Sequence, residues 1–219
     1  MARLEVAEEV TARRTFVWAI EWPGWCRSGK TSVLAREALL HAASRYAVVA
    51  TAAGLTLPPA TKADLEVVES IPGGGGTEFG VPSAIGIHDG RPVSGTDARR
   101  LAALVEASWA VFDAVAARSP ESLRKGPRGG GRDRDRMIGH VIEADHAYAR
   151  EIGVRSAPPD PGDRSAIDAE RAAILAVLRE TSDGSPLAGR RWTQRYAARR
   201  IAWHALDHAW EMEDRSEPG

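Results

Sequence analysis

The chain of 219 residues contains one cysteine, three lysines, only 6% aromatic residues and no long apolar run. Alone, Cys26 can close no intramolecular disulfide and cannot build a thiolate zinc site, which fits a reducing cytoplasm. No stretch approaches the roughly 20 apolar residues a membrane helix needs. The start, MARLEVAEEV, is acidic where a secretory signal requires an apolar stretch, so the sequence predicts a soluble, cytoplasmic protein. A formal net charge of −1 and a pI near 6.6 give the whole chain no reason to seek nucleic acid or an anionic membrane. Any basic patch must therefore be local. Positive charge is carried almost entirely by arginine, and heavy use of Ala and Arg is typical of GC-rich bacterial genomes.

Composition breaks near the middle of the chain, which predicts two cores joined by a linker. Residues 3–8 and 15–22 contain short β-rich runs, the second being TFVWAIEW, and read as a hairpin. From Thr31, a candidate cap, to about Ala53, the apolar residues Leu34, Ala38 and Ala42 follow a helical spacing. LEVVES at 65–70 reads as another strand, completing a ββαβ unit over 1–71. Residues 72–94 are rich in glycine and proline, cannot sustain a long helix or a central strand, and are assigned as linker. Within them Phe79 and Val81 form an apolar pair with reason to pack. Beyond Thr96 the pattern is helical throughout. The first helix buries Leu101, Leu104, Val105, Ser108, Phe112 and Val115; the second runs from RDRDRM to about Ile152; the third begins at Ser165; the fourth covers about 191–214. Four amphipathic helices in this space predict a four-helix bundle over 95–215, and an α+β chain overall.

Histidines carry the strongest chemical signal. IAWHALDHAW places His204 and His208 one turn apart on the face that also holds Ala197, Ile201, Ala205 and Met212. His140 shares a stripe with Met137, Val141, Ala144 and Tyr148, whereas His146 lies about 240° further round the helix and is expected to face solvent. An HxxxH pair alone reads equally well as two ordinary helix histidines. A third inward imidazole changes the balance, because three neutral rings meeting in an apolar interior leave lone pairs unsatisfied and three protonated ones repel. One divalent ion resolves both, and three His ligands leave a coordination position open, as in catalytic zinc sites. Zinc is the first expectation; Ni, Fe and Mn accept the same ligands.

The stretches GHVIEADHAYAREIG and RRIAWHALDHAWEMEDR resemble the DinB/YfiT-like bundles, which include bacillithiol- and mycothiol-dependent transferases and thiol-dependent maleylpyruvate isomerases. That resemblance covers about residues 95–215 and implies His140, His204 and His208 as metal ligands and a low-molecular-weight thiol as cosubstrate. Glu143, one turn beyond His140, is a candidate to orient a ligand or a water, or is an ordinary exposed glutamate.

Between the first two helices, RKGPRGGGRDRDR at 124–136 combines glycines, a helix N-terminus and arginines, a combination suited to holding a carboxylate or phosphate through Arg128 or Arg132. A plain solvated loop is the alternative. Without aromatic interleaving or repetition, its RGG spacing does not point to RNA.

GWCRSGKT at 24–31 satisfies the phosphate-loop pattern GxxxxGK[ST], yet no downstream apolar strand ends in the aspartate such a site needs, so Lys30 reads as a surface charge. Instead WAIEWPGWCRSGKTSVLAREALLHAASRY resembles the N-terminal domain of HicB-type antitoxins over about residues 3–70. This implies a partial RNase H-like unit with a protein-binding surface, without the DNA-binding domain that follows in those antitoxins. Trp18, Trp22 and Trp25 read as core or interface anchors. Cys26 has no histidine nearby in sequence to activate it.

The sequence thus predicts a metal-dependent enzyme, in which the metal acidifies a water or a thiol. By resemblance it is a mycothiol-type transferase or isomerase acting on a small anionic electrophile. The alternative is a non-catalytic metal- or ligand-binding regulatory module whose N-terminal unit recognises a partner protein. Homodimerisation is open under either reading.

Overall fold

The computed structural model describes residues 3–61, 64–125 and 131–216. Among them the chain is mixed α+β, with one four-stranded sheet and seven α-helices. Strands β1 (Leu4–Val10), β2 (Thr15–Ala19), β3 (Cys26–Gly29) and β4 (Leu65–Pro72) lie in the order β3-β2-β1-β4. The pairs β1–β2 and β2–β3 are antiparallel, with Val6 opposite Ala19 and Trp18 opposite Cys26, while β4 runs parallel to β1. The two-residue period of the strands sorts the side chains by face. Leu4, Val6, Val17 and Ala19 join the main core; Ala7, Phe16, Trp18 and Cys26 form a second cluster with Trp203.

This N-terminal part differs from a simple ββαβ order. CRSG forms β3 where the sequence reading places no strand, because antiparallel pairing to β2 supplies the backbone partners that its weak β propensity does not advertise. The single helix expected over 31–53 is two, α1 (Ser32–His41) and α2 (Ala43–Ala52), hinged at Ala42. Thr31 caps α1 by accepting from the Leu34 amide. No glycine or proline marks the hinge.

Residues 73–94 contain the short helix α3 (Gly75–Phe79) and a 3-10 turn at His88–Gly90. Buried Glu9 anchors this segment by accepting from Thr77 Oγ1 at 2.5 Å and from the Ala84 amide at 3.0 Å. At the turn, Asp89 takes two hydrogen bonds from Arg199, Nε at 3.1 Å and Nη2 at 2.6 Å. The Arg199 guanidinium also lies 4.2 Å from the Trp18 ring centroid. Val81 packs on the second cluster, but Phe79 is 88% exposed, so the expected packing of that pair is half right.

Four long helices follow: α4 (Gly95–Arg118), α5 (Arg134–Glu151), α6 (Arg164–Leu178) and α7 (Gln194–Ser216). Helices α4 and α5 each pack on both α6 and α7. Ser94 caps α4, and Asp163, rather than a residue from Ser165 on, caps α6 through the Ala166 amide at 3.0 Å. The main core is one cluster to which the sheet, α1, α2 and all four long helices contribute. At the Pro23–Gly24 turn the approach to α7 is close: a Cβ on Gly24, whose φ is +91°, would fall 2.7 Å from Leu206 Cδ1. No helix among the described residues is long and apolar enough to cross a membrane.

Candidate metal centre

Helices α5 and α7 bring His140, His204 and His208 together. Met137 and Val141 on α5, and Ala197, Ile201, Ala205 and Met212 on α7, are completely buried, so the two apolar stripes turn the intervening histidines inward. One nitrogen from each ring falls within 4.8 Å of the others. The Nε2 atoms of His140 and His204 are 3.2 Å apart, and the His208 ring centroid lies 5.0 Å from that of His140 and 4.7 Å from that of His204.

Burial favours the neutral form of two of these rings, His140 and His204. His204, 6% exposed, is held well below the ordinary histidine range first by desolvation, then by the charges of His208 and Arg200. His140 is lowered by the same desolvation and by His208 and Arg132. Neutral imidazoles present lone pairs, the state a metal ligand requires. Geometry fits as well: tetrahedral zinc with Zn–N near 2.0–2.1 Å places its ligand nitrogens roughly 3.3 Å apart, close to the spacing of the two Nε2 atoms. Two of the rings thus stand at ligand spacing, and with the third inside 4.8 Å the three could hold one divalent ion.

Around the cluster stand groups to which the sequence reading gave no role at the site. Nδ1 of His208 donates to Glu211 at 3.2 Å, and Arg215 Nη1 donates to the same carboxylate at 2.9 Å. This arrangement leaves Nε2 of His208 as its free lone pair. Spacing offered the clue, since Glu211 is three residues beyond His208 on the same face of α7. The Tyr148 ring packs 5.7 Å from His204, and Trp203 packs 6.1 Å from it. Arg200 lies 5.3 Å from the Tyr148 ring centroid and 4.8 Å from that of Trp203.

Other expected residues fall as follows. Arg132 is exposed, yet near enough for its charge to depress both His140 and His204. Arg128 lies outside the described residues. Glu143 is exposed and acts on His140 through its charge, with no described hydrogen bond to a histidine. His146 is excluded from the cluster but does not face solvent. Its Nδ1 meets Glu170 at 2.7 Å, because α6 covers the side of α5 that the periodicity leaves bare. Trp18, Trp22 and Trp25 are all buried, and Lys30 is exposed at the end of β3. Burial pushes the Cys26 thiol far up, the opposite of an activated nucleophile.

No family model, curated protein or solved structure matches this chain.

Proposed function

We propose that the four long helices are a DinB/YfiT-like bundle whose His140, His204 and His208 hold one catalytic divalent ion, zinc first among the candidates. The observation that carries this reading is the convergence of three inward imidazoles from α5 and α7 within 4.8 Å. When bound there, such an ion supplies the Lewis acidity that deprotonates a thiol or a water near neutral pH. Three histidines leave one coordination position for that group. Glu211 fixes the tautomer and orientation of His208, and the charges of Arg132 and Arg200 make the site attractive to an anion. These features favour thiol transfer or isomerisation of a small anionic electrophile, with a low-molecular-weight thiol of the mycothiol kind as cosubstrate. The N-terminal unit, read as HicB-like, supports a second role as a protein-recognition surface.

The direct test uses a carboxylated aryl halide, 4-chloro-3-nitrobenzoate, with mycothiol and with glutathione. In the reaction the thiolate sulfur bonds to the ring carbon and chloride leaves with the electron pair. Thioether formation that disappears on chelation, returns with zinc and is missing in His204→Ala supports the enzyme reading. Full metal content without turnover for either thiol returns the protein to the binding-module reading.

A further inference from the structure

We infer that Arg200 anchors a carboxylate of the ligand that approaches the three histidines. The inference deepens the metal-centre reading and rests on it.

Four arginines lie on α7, and three of them have carboxylate partners. Arg195 meets Glu21 at 3.4 Å, Arg199 meets Asp89 at 2.6 Å and Arg215 meets Glu211 at 2.9 Å. No described carboxylate pairs with Arg200, whose one described side-chain partner is the Tyr148 hydroxyl, and its Nη1 is cut off from solvent without an acceptor. Its guanidinium packs beside two aromatic rings, Tyr148 and Trp203. Such packing satisfies the faces of a guanidinium but leaves the in-plane donors of Nη1 without an acceptor. A buried charged donor without an acceptor is costly, and an incoming anion removes that cost.

Placement makes this vacancy relevant to the site. Arg200 is one helical turn before His204, and both rings beside it also adjoin His204, Tyr148 at 5.7 Å and Trp203 at 6.1 Å between centroids. The aromatic surroundings continue through Trp192, 5.1 Å from Tyr148. Held between rings, the guanidinium has lost much of its freedom before any ligand arrives and offers a planar edge. A carboxylate matches that edge in shape and in charge. Arg132, on the loop before α5, adds long-range attraction, whereas Arg200 fixes the position.

The test uses the full chain loaded with zinc and benzoate as the probe, followed by tryptophan fluorescence, since Trp203 and Trp192 adjoin the site. Benzoate should bind the wild type while benzamide, of the same shape without charge, should not. Arg200→Gln should weaken benzoate at least tenfold with zinc content unchanged, and Arg200→Lys, which keeps the charge but not the fork, should weaken it several-fold. Equal benzoate affinity in wild type and Arg200→Gln, benzamide binding as well as benzoate, or no benzoate binding to the wild type overturns the assignment. Inorganic phosphate displacing benzoate at lower concentration would reassign the anchor from carboxylate to phosphate. If circular dichroism shows Arg200→Gln unfolded, Arg200→Lys decides, and unchanged affinity there overturns the assignment. Zinc content of the wild type is read on the same samples. A chain that takes up no zinc removes the metal reading, while loss of benzoate binding on changing Arg200 still sustains the anchor.

Discussion

Glu211 accepts from Nδ1 of His208 at 3.2 Å, one turn along α7, and is itself held by Arg215 at 2.9 Å. The hydrogen bond from His208 is the main reason the Glu211 carboxyl sits below its usual range. Removing a carboxylate that orients a ligating imidazole typically costs about 10–100-fold in metal affinity. Glu211→Ala is therefore expected to weaken zinc by that factor without abolishing binding, as read by chelator competition. Affinity equal to wild type would make the pair an incidental helix contact.

Arg132 is predicted to act on ligand and not on metal. Being exposed and without a lone pair, it cannot ligate the ion, yet its charge reaches His140 and His204. Arg132→Ala should leave zinc content intact and slow association of an anionic ligand, most strongly at low ionic strength. Association rates that are the same in both proteins at all salt concentrations would contradict this.

Asp145 gives stability a pH dependence. Its carboxyl is buried, and burial raises it to about 7 against the opposing charge of Arg171. The folded state therefore binds a proton that the unfolded chain has already lost, so this group's contribution is complete below the ordinary carboxylate range and declines as pH rises toward 7. Asp145→Asn should flatten that decline, so that the variant gains stability relative to wild type between about pH 4 and 7. Denaturant unfolding across this range checks it; parallel curves for the two proteins would mean that Asp145 is ionised throughout.

The Asp89–Arg199 pair ties the segment before α4 to α7, with the two residues 6% and 5% exposed. Removing one partner of a buried pair costs about 3–5 kcal/mol. Asp89→Ala should lower the unfolding free energy by that amount. Because the main core also draws on the sheet and on α1 and α2, residues 95–219 alone are expected to lack a cooperative melt. A fragment that melts cooperatively would restore the two separate cores that the composition break suggests.

Much of this was legible in the sequence because helical periodicity is a local signal. The four long helices and the inward faces of His140, His204 and His208 follow from apolar spacing within single segments. What was not legible depends on neighbours distant in the chain. The strand Cys26–Gly29 exists by pairing with β2, and His146 turns out to be covered because α6 lies across it. The same holds at residues 73–94: their glycines and prolines exclude long elements, but their anchoring by Glu9 and Arg199 needs side chains from β1 and α7. Glu211 was within reach of the same spacing argument that found the histidines. Arg200 was not, since nothing in sequence shows which arginine lacks a carboxylate partner.

The central claim is that three histidines on α5 and α7 hold one metal ion. Elemental analysis of the purified wild type, His204→Ala and His146→Ala chains tests it most directly. The account predicts about one divalent ion per chain in wild type and in His146→Ala, and none in His204→Ala, because two imidazoles rarely retain a divalent ion against competition. Equal metal content in the two variants, or none in the wild type after zinc is offered, would contradict it.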